Sequence, residues 1–445
     1  MKLAAYLPYY KRNLHLALPV VISQIGQVSV SLVDNMMVGH VGTTELAAAS
    51  FANSVFVNGM VFGMGITFGM TPLIGKAYGK KNMPEALMWL KNGVFTHTIS
   101  SVVLFVIMTS VYFLLPKMGQ TPEVTALAGP YYLILCASYI PFMLFFTMKQ
   151  FFEGLGNTRM AMKITIAANL LNIIFNYLFI YGKFGFPEMG LNGAGIGTLI
   201  SRVAMPLMFI YFIVKKPLFL NYFSEAHKMT IEREKIISLL RIGIPIAFQI
   251  IVEVITFSIG AIMMGWLGEV KLAAHQVAIG LATFSYMISL GVSQANTIRV
   301  SHQLGLRDYH ALKMAAFAST HLVLVFMSVM GVVFIITRNF LPFLFTTDAE
   351  VISIAANLLI IAAIFQVFDG LQVVMLSTLR GMADVKIPMF MAIFAYLFVG
   401  IPISYFFAFI LKTGPVGIWY GYLAGLGIAG IMFYLRFRYN LKKLT

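Results

Sequence analysis

Long apolar segments recur from one end of the chain to the other, separated by short polar stretches. A helix needs roughly 20 apolar residues to cross a hydrocarbon core of about 30 Å. The segments are rich in Leu, Ile, Phe and Met and lack the alternation of barrel strands, which predicts an all-α integral membrane protein. Twelve spans are predicted, at residues 14–39, 46–73, 92–115, 125–152, 161–182, 190–214, 241–266, 271–298, 314–341, 350–379, 387–411 and 415–436.

The composition agrees with this prediction. Of 445 residues, 60% are hydrophobic and 11% are charged, and the mean hydropathy is +0.87. So little polar surface cannot cover a soluble globule. The first apolar run follows Lys11 and Arg12 but is too long for a signal peptide and lacks a small-residue cleavage site, so we expect it to remain as the first helix.

The net charge of +15 is distributed very unevenly among the predicted loops. With both termini inside the cell, 24 of the 31 Lys and Arg fall in cytoplasmic segments and five fall in external loops. This is the positive-inside pattern, and it predicts a multi-pass protein of the inner membrane with cytoplasmic termini. The basic charge then reflects topology, which argues against nucleic-acid binding. The single cysteine, Cys136, excludes an internal disulfide and a thiolate metal cluster.

The chain also contains an internal repeat. Pro19 aligns with Pro245 and Gly65 with Gly291, both at an offset of 226 residues (245 minus 19). Each half has an even number of spans, so the halves enter the membrane in the same sense, as in many transporters with alternating access. The predicted domains are an N-terminal six-helix lobe, a cytoplasmic linker and a C-terminal six-helix lobe, at residues 1–214, 215–240 and 241–445.

Three of the 16 acidic residues lie well inside predicted spans: Asp34, Glu253 and Asp369. A charge at membrane depth costs at least about 2.5 kcal/mol, so such residues usually serve a function. The repeat aligns Glu253 with Gln27, two helical turns from Asp34, so we expect both acids to face a central cavity. One such acid could simply bridge helices, but three favour a transport path. Because burial favours the neutral form, a carboxyl group can exchange a proton for a cation, which is antiport chemistry.

A second polar set accompanies Asp34 in the first half. Asn172 and Asn176 are four residues apart on one helix face, and so are Ala194 and Thr198 in a Gly-rich segment that we expect to be irregular. Paired asparagines in a membrane are often interhelical hydrogen bonds. Together, however, one carboxylate, two amides, a hydroxyl and backbone carbonyls form an all-oxygen set that suits Na⁺ or a proton relay.

These motifs resemble the multidrug and toxic compound extrusion (MATE) family, and within it the NorM-type bacterial members. The likeness covers essentially the whole chain. It depends on several stretches in the same order, namely SLVDNMMVG, NIIFNYLFIYGKFG with GAGIGT, IVEVITF, LAAHQVA, and FQVFDGLQVV followed by STLRG. The resemblance implies a V-shaped pair of six-helix bundles that exports amphipathic cationic drugs or toxic metabolites in exchange for Na⁺ or H⁺, as a monomer in the lipid bilayer and without a cofactor.

The resemblance also implies particular site residues. The first-lobe cation site would be formed by Asp34, Asn172, Asn176, Ala194 through its carbonyl, and Thr198, with Asp34, Asn172, Asn176 and Thr198 as candidate Na⁺ ligands. The second-lobe acidic pair would be Glu253 and Asp369. Position 176 is Asn where some members of the family carry a second acid, which leaves the choice between Na⁺ and H⁺ open.

Recognition of cargo is expected to be loose, because Met and Phe side chains can repack around different hydrophobic cations. Five residues are candidates for lining the cavity and are equally compatible with plain packing: Met263, Gln276, Phe284, Met287 and Gln366. Lys149 and Arg202 are the other charges inside spans, and we interpret both as structural partners or as groups that extend toward the interface.

Two other functions compete with antiport. A lipid-linked oligosaccharide flippase should need basic groups in its cavity to bind a pyrophosphate, and the three buried acids disfavour it. An intramembrane enzyme should carry a compact catalytic set, and none is apparent, although Asp34 and Asp369 could still form a pair. The sequence has no P-loop, so an ion gradient is the expected energy source and the protein is not expected to be an enzyme.

Overall fold

Twelve helices long and apolar enough to cross a membrane form the framework of the computed structural model, which describes residues 3–444. The described residues contain no β-strand, so the predicted all-α class and the number of spans are confirmed. In chain order, helices α1 to α12 are Ala4–Gly39, Thr43–Gly79, Met83–Lys117, Pro122–Gly154, Thr158–Tyr181, Gly190–Lys215, Arg233–Trp266, Glu269–Leu306, Tyr309–Thr337, Ala349–Gly381, Lys386–Ile410 and Pro415–Leu444.

Most helices extend beyond their predicted spans, because hydropathy marks the membrane boundary whereas hydrogen bonding determines where a helix ends. Lys81 follows α2 with a φ of 57°, and the Asn82 side chain then accepts a hydrogen bond (3.1 Å) from the backbone N–H three residues later. Arg307 follows α8 with a φ of 58°, and Asp308 caps α9 in the same way (2.9 Å). The two caps are 226 residues apart (308 minus 82), so both halves of the repeat use the same turn.

Backbone contacts divide the chain into two compact units. One unit is Ile22–Ala247, and the other combines the residues before Ile22 with those from Phe248 onward. Both boundaries lie inside helices, α1 and α7, whereas the predicted boundary was the linker at 215–240. That linker contains a further helix, Pro217–Lys228.

Side-chain contacts explain why the first half of α1 belongs with the second half of the sequence. The Asn13 amide nitrogen donates hydrogen bonds to the Ala315 carbonyl (2.9 Å) and to Ser319 Oγ (2.8 Å), both on α9. Asn13 is completely buried, so these bonds satisfy amide N–H groups that would otherwise be costly to bury.

Glycines at one position of the repeat bring helices into backbone contact in each unit. A Cβ atom on Gly65 of α2 would lie 2.4 Å from the Cα atom of Ala247 in α7. A Cβ atom on Gly291 of α8 would lie 2.9 Å from the Cα atom of Val21 in α1. Only glycine permits so close an approach, which is typical of helix packing in membranes.

Helix α11 departs from regular α geometry. It is π-helical over Phe394–Gly400 and again over Phe406–Ile410. It packs against a row of small residues on α12, where a Cβ atom on Gly421 would lie 2.3 Å from the Gly400 carbonyl oxygen. Such irregular segments are frequent near functional sites. The first of the two carries Tyr396, which lines a cavity together with Glu253.

Candidate functional sites

Four of the five predicted residues of the first-half site form one connected hydrogen-bond network. The Asn176 amide nitrogen donates to Asp34 Oδ1 (2.7 Å) and to Asn172 Oδ1 (3.3 Å). The Asn172 amide nitrogen in turn donates to Thr198 Oγ1 (3.3 Å). The network joins α1, α5 and α6, and both asparagines are buried. The four-residue spacings inferred from the sequence therefore do bring these side chains together.

Asn176 presents its nitrogen to Asp34. Its own Oδ1 has no hydrogen-bond partner among the described residues and lies against Gly197, where a Cβ atom would come within 2.1 Å of it. This arrangement stabilises an ionised Asp34 carboxylate, because an amide N–H donates to a negative oxygen. For one Na⁺ to be coordinated by both Asp34 and Asn176, the amide would have to turn by about half a rotation so that its oxygen faced the ion.

The Gly-rich segment of α6 is a regular helix, so the prediction that it is irregular was wrong. A Cβ atom on Gly193 would lie 2.5 Å from the Phe179 carbonyl carbon, and one on Gly197 would lie 3.0 Å from the Asn176 backbone nitrogen. These glycines let the backbones of α5 and α6 touch, and they therefore serve packing. The Ala194 carbonyl belongs to this continuous helix, in which carbonyls accept intrahelical hydrogen bonds.

We expect Gly197→Ala to disrupt this site through packing alone. The added methyl group would overlap the Asn176 side chain, push α6 away from α5 and cost about 1–3 kcal/mol. Thermal unfolding of the purified protein and transport by reconstituted protein should both decline. Gly265→Ala is the matched control, since its Cβ atom would meet nothing closer than Leu272 at 3.9 Å. Equal melting temperatures for the two variants would contradict this account of the packing.

A cavity of about 400 Å³ lies beside the network. Asp34, Ala194 and Thr198 line it, and so does Arg202. The sequence predicted only a structural or interfacial role for Arg202 and did not show that it shares a cavity with Asp34. The spacing in the sequence could have indicated this position. Residues 194, 198 and 202 follow one another at four-residue intervals and so lie on one face of α6.

Lys149 has the structural role that was predicted for it. Its Nζ atom lies 3.8 Å from Glu153 Oε1, one helical turn away on α4, and both side chains are buried. Glu153 lies just beyond the predicted span 125–152, and this pairing was not predicted. A buried charge that has a partner of opposite sign needs no transport role to explain it.

The two acids of the second half share a cavity of about 320 Å³ within their own unit. Glu253 on α7 and Asp369 on α10 both line it, and Asp369 is buried. The rest of the wall is largely apolar and includes Phe257, Phe365 and Met287. Two carboxyl groups among aromatic and thioether side chains suit a ligand that is positively charged and hydrophobic.

Three residues around this acidic pair were not anticipated. Tyr286 lines the same cavity, and Tyr396, on the π-helical part of α11, lines a smaller cavity together with Glu253. Arg380 lies within electrostatic range of Glu253, and its Nη2 atom donates to Gln249 Oε1 (3.2 Å). Hydropathy placed Arg380 at the cytoplasmic end of its span, so nothing in the sequence linked it to the acids.

The five candidate lining residues occupy different environments. Met287 lines the cavity with the acidic pair, whereas Met263 is buried in the hydrophobic core of the same unit. Gln366 is buried and accepts a hydrogen bond (2.8 Å) from a serine of α8. Gln276 and Phe284 are exposed at the surface of the protein chain.

Twelve apolar helices form two units, and each unit has a cavity with acidic side chains on its wall, Asp34 in one and Glu253 with Asp369 in the other. These features define a multi-pass membrane protein of the transporter class. The family model for MatE matches residues 19–178 and 245–406. The chain therefore belongs to the MatE family, as the resemblance of its motifs predicted.

Similar proteins cover nearly the full length. The probable multidrug resistance protein NorM of Rhizobium meliloti is 31% identical, over 98% of this chain and 95% of its own length. The multidrug resistance protein NorM of Photobacterium profundum is 32% identical, over 96% and 95% respectively. The crystal structure of the Vibrio cholerae MATE transporter VcmN in its bent form superimposes with a TM-score of 0.88 at 18% identity, covering 99% of both chains. The eukaryotic MATE transporter AtDTX14 gives a TM-score of 0.87 at 20% identity, covering 99% of this chain and 98% of its own.

Proposed function

We propose that this protein is a secondary active antiporter that exports amphipathic organic cations in exchange for Na⁺ or H⁺. The observation that carries the proposal is the presence, in each unit, of acidic side chains on the wall of an internal cavity inside apolar helices. The names of the relatives, multidrug resistance proteins, support drugs as the cargo.

Asp34 is the proposed coupling residue. Its carboxylate binds either one proton or one Na⁺, and the Asn176 amide stabilises the ionised form between binding events. A proton needs only one carboxylate oxygen, whereas Na⁺ would also use Asn172, Thr198 and a reoriented Asn176. Both ions therefore fit the same residues, but they differ in the rearrangement that they demand.

Glu253 and Asp369 are proposed to bind the cargo or a second coupling cation. The charge of an organic cation would be balanced by the two carboxyl groups, while Phe257, Phe365 and Met287 contact its apolar part. An adaptable wall of this kind accepts compounds that share charge and hydrophobicity but differ in shape.

The proposal includes location and orientation. The protein would lie in the inner membrane as a monomer. Both termini would lie in the cytoplasm, because basic residues are concentrated in the segments on that side. Export then requires that the ion gradient across this membrane drives the alternating exposure of the cavities.

Efflux from proteoliposomes tests the proposal. Vesicles loaded with a fluorescent organic cation would be given a Na⁺ gradient alone, then a pH gradient alone, then neither. Efflux with one gradient and not without it is the expected result and identifies the coupling ion. Absence of efflux under both gradients, with correctly inserted protein, would reject antiport and favour the flippase of lipid-linked substrates.

A further inference from the structure

Arg202 is held firmly inside the first unit by side chains other than Asp34. Its Nη1 atom donates to Ser138 Oγ (2.8 Å), and its guanidinium carbon lies 4.7 Å from the Phe142 ring centroid and 5.2 Å from that of Phe56. A second guanidinium nitrogen contacts the Met60 sulfur at 3.8 Å. These contacts orient a planar cation, but none of them neutralises it.

Arg202 and Asp34 share a cavity without forming an ion pair. Both line the space of about 400 Å³, and Tyr131 is the other titratable side chain on its wall. The ion pairs within 4.0 Å in residues 3–444 join other side chains. The two charges thus act on each other across the cavity, where interactions are stronger than in water.

We propose that Arg202 is the resident counter-ion of Asp34 and sets how tightly the first unit holds its coupling ion. When Asp34 is ionised, Arg202 balances its charge, so the cavity is neutral overall. When Asp34 binds Na⁺ or H⁺, the charge of Arg202 is left unbalanced and repels the bound cation. Arg202 therefore weakens binding and speeds release. This inference rests on the proposed function and adds a positioning residue to it.

The substitutions Arg202→Gln and Arg202→Met test this role. Both variants remove the charge. If Arg202→Gln folds poorly, Arg202→Met provides the same test, because its side chain keeps an apolar contact with the two phenylalanine rings. The concentration of coupling ion that gives half-maximal efflux should fall by about tenfold in both variants, and the maximal rate should fall because the ion leaves slowly. Efflux of a fluorescent cation would be titrated against Na⁺ at fixed pH and against pH at fixed Na⁺.

Two controls separate charge from structure. Arg202→Lys keeps the charge but loses the planar stacking, so its half-maximal concentration should stay within about twofold of the wild type even if its stability falls. Lys163→Gln removes one positive charge from an exposed position of α5 and should also leave that concentration unchanged.

The possible results distinguish this inference from the proposed function. If the wild type couples to an ion and both neutral variants keep its half-maximal concentration, Arg202 is only a packing residue and the inference is overturned. If the half-maximal concentration falls as far in Arg202→Lys as in Arg202→Gln, the effect is structural and the inference also fails. If the wild type shows no efflux with either gradient, the antiport proposal itself is rejected.

Discussion

Replacing Asp34 by Asn should abolish ion-coupled efflux while leaving the protein in the membrane. The new amide has nearly the shape of the carboxylate and can still accept the hydrogen bond from Asn176. It cannot bind a proton at neutral pH and gives Na⁺ no charged ligand. We expect the coupled rate to fall at least about tenfold, which corresponds to about 1.4 kcal/mol or more.

The measurement is efflux from proteoliposomes under whichever gradient drives the wild type, corrected for inserted protein. Asp348→Asn is the matched control, because it makes the same change at an exposed N-cap. There Asp348 accepts hydrogen bonds from the backbone N–H groups of Glu350 (2.9 Å) and Val351 (3.1 Å), and asparagine caps helices equally well. Unimpaired efflux by the Asp34 variant would rule out this residue as the coupling group.

Neutralising the acidic pair of the second unit should weaken the binding of cationic cargo. In Glu253→Gln and in Asp369→Asn, we expect the dissociation constant of a fluorescent organic cation to rise about tenfold, or about 1.4 kcal/mol. Because both acids line one cavity, the double variant should lose less binding free energy for the cation than the two single variants lose in sum. Binding of an uncharged compound with similar apolar groups should change little, since the apolar wall remains.

Binding would be measured by fluorescence with purified protein, first for the cation and then for its neutral analogue. Glu350→Gln, in the exposed first turn of α10, serves as the charge-matched control. Equal losses of affinity for the cation and the neutral compound would indicate collapse of the cavity. If the losses of binding free energy in the two single variants add up strictly in the double variant, the two acids act independently.

Residue spacing predicted much of the first site. The four-residue intervals place Asn172 and Asn176 on one face of α5, and Ala194 and Thr198 on one face of α6, and three of these join Asp34 through hydrogen bonds. The prediction succeeded because helix geometry is local and a membrane helix is nearly regular. Hydropathy found all twelve spans for the same reason, since each helix must satisfy its own backbone in lipid.

Contacts between helices are what the sequence did not predict. The Gly-rich segment of α6 looked irregular because glycine favours turns, yet its glycines permit close contact with α5. The cavity that Arg202 shares with Asp34 was not predicted, because a sequence does not reveal which helix faces another. The sequence predicted a linker at 215–240, and it gave no sign that the first half of α1 packs with the later part of the chain or that the first half of α7 packs with the earlier part.

The sequence alone therefore determined the fold class, the twelve spans, the repeat and the presence of acids inside spans, because these features follow from the order of residues and from the hydropathy of each segment. Tertiary structure alone decided that Arg202 lies on the cavity wall with Asp34, that Glu253 and Asp369 share another cavity, and that Asn176 offers its nitrogen to the carboxylate. These features depend on how helices distant in sequence are rotated and pressed together, and packing between side chains sets that rotation.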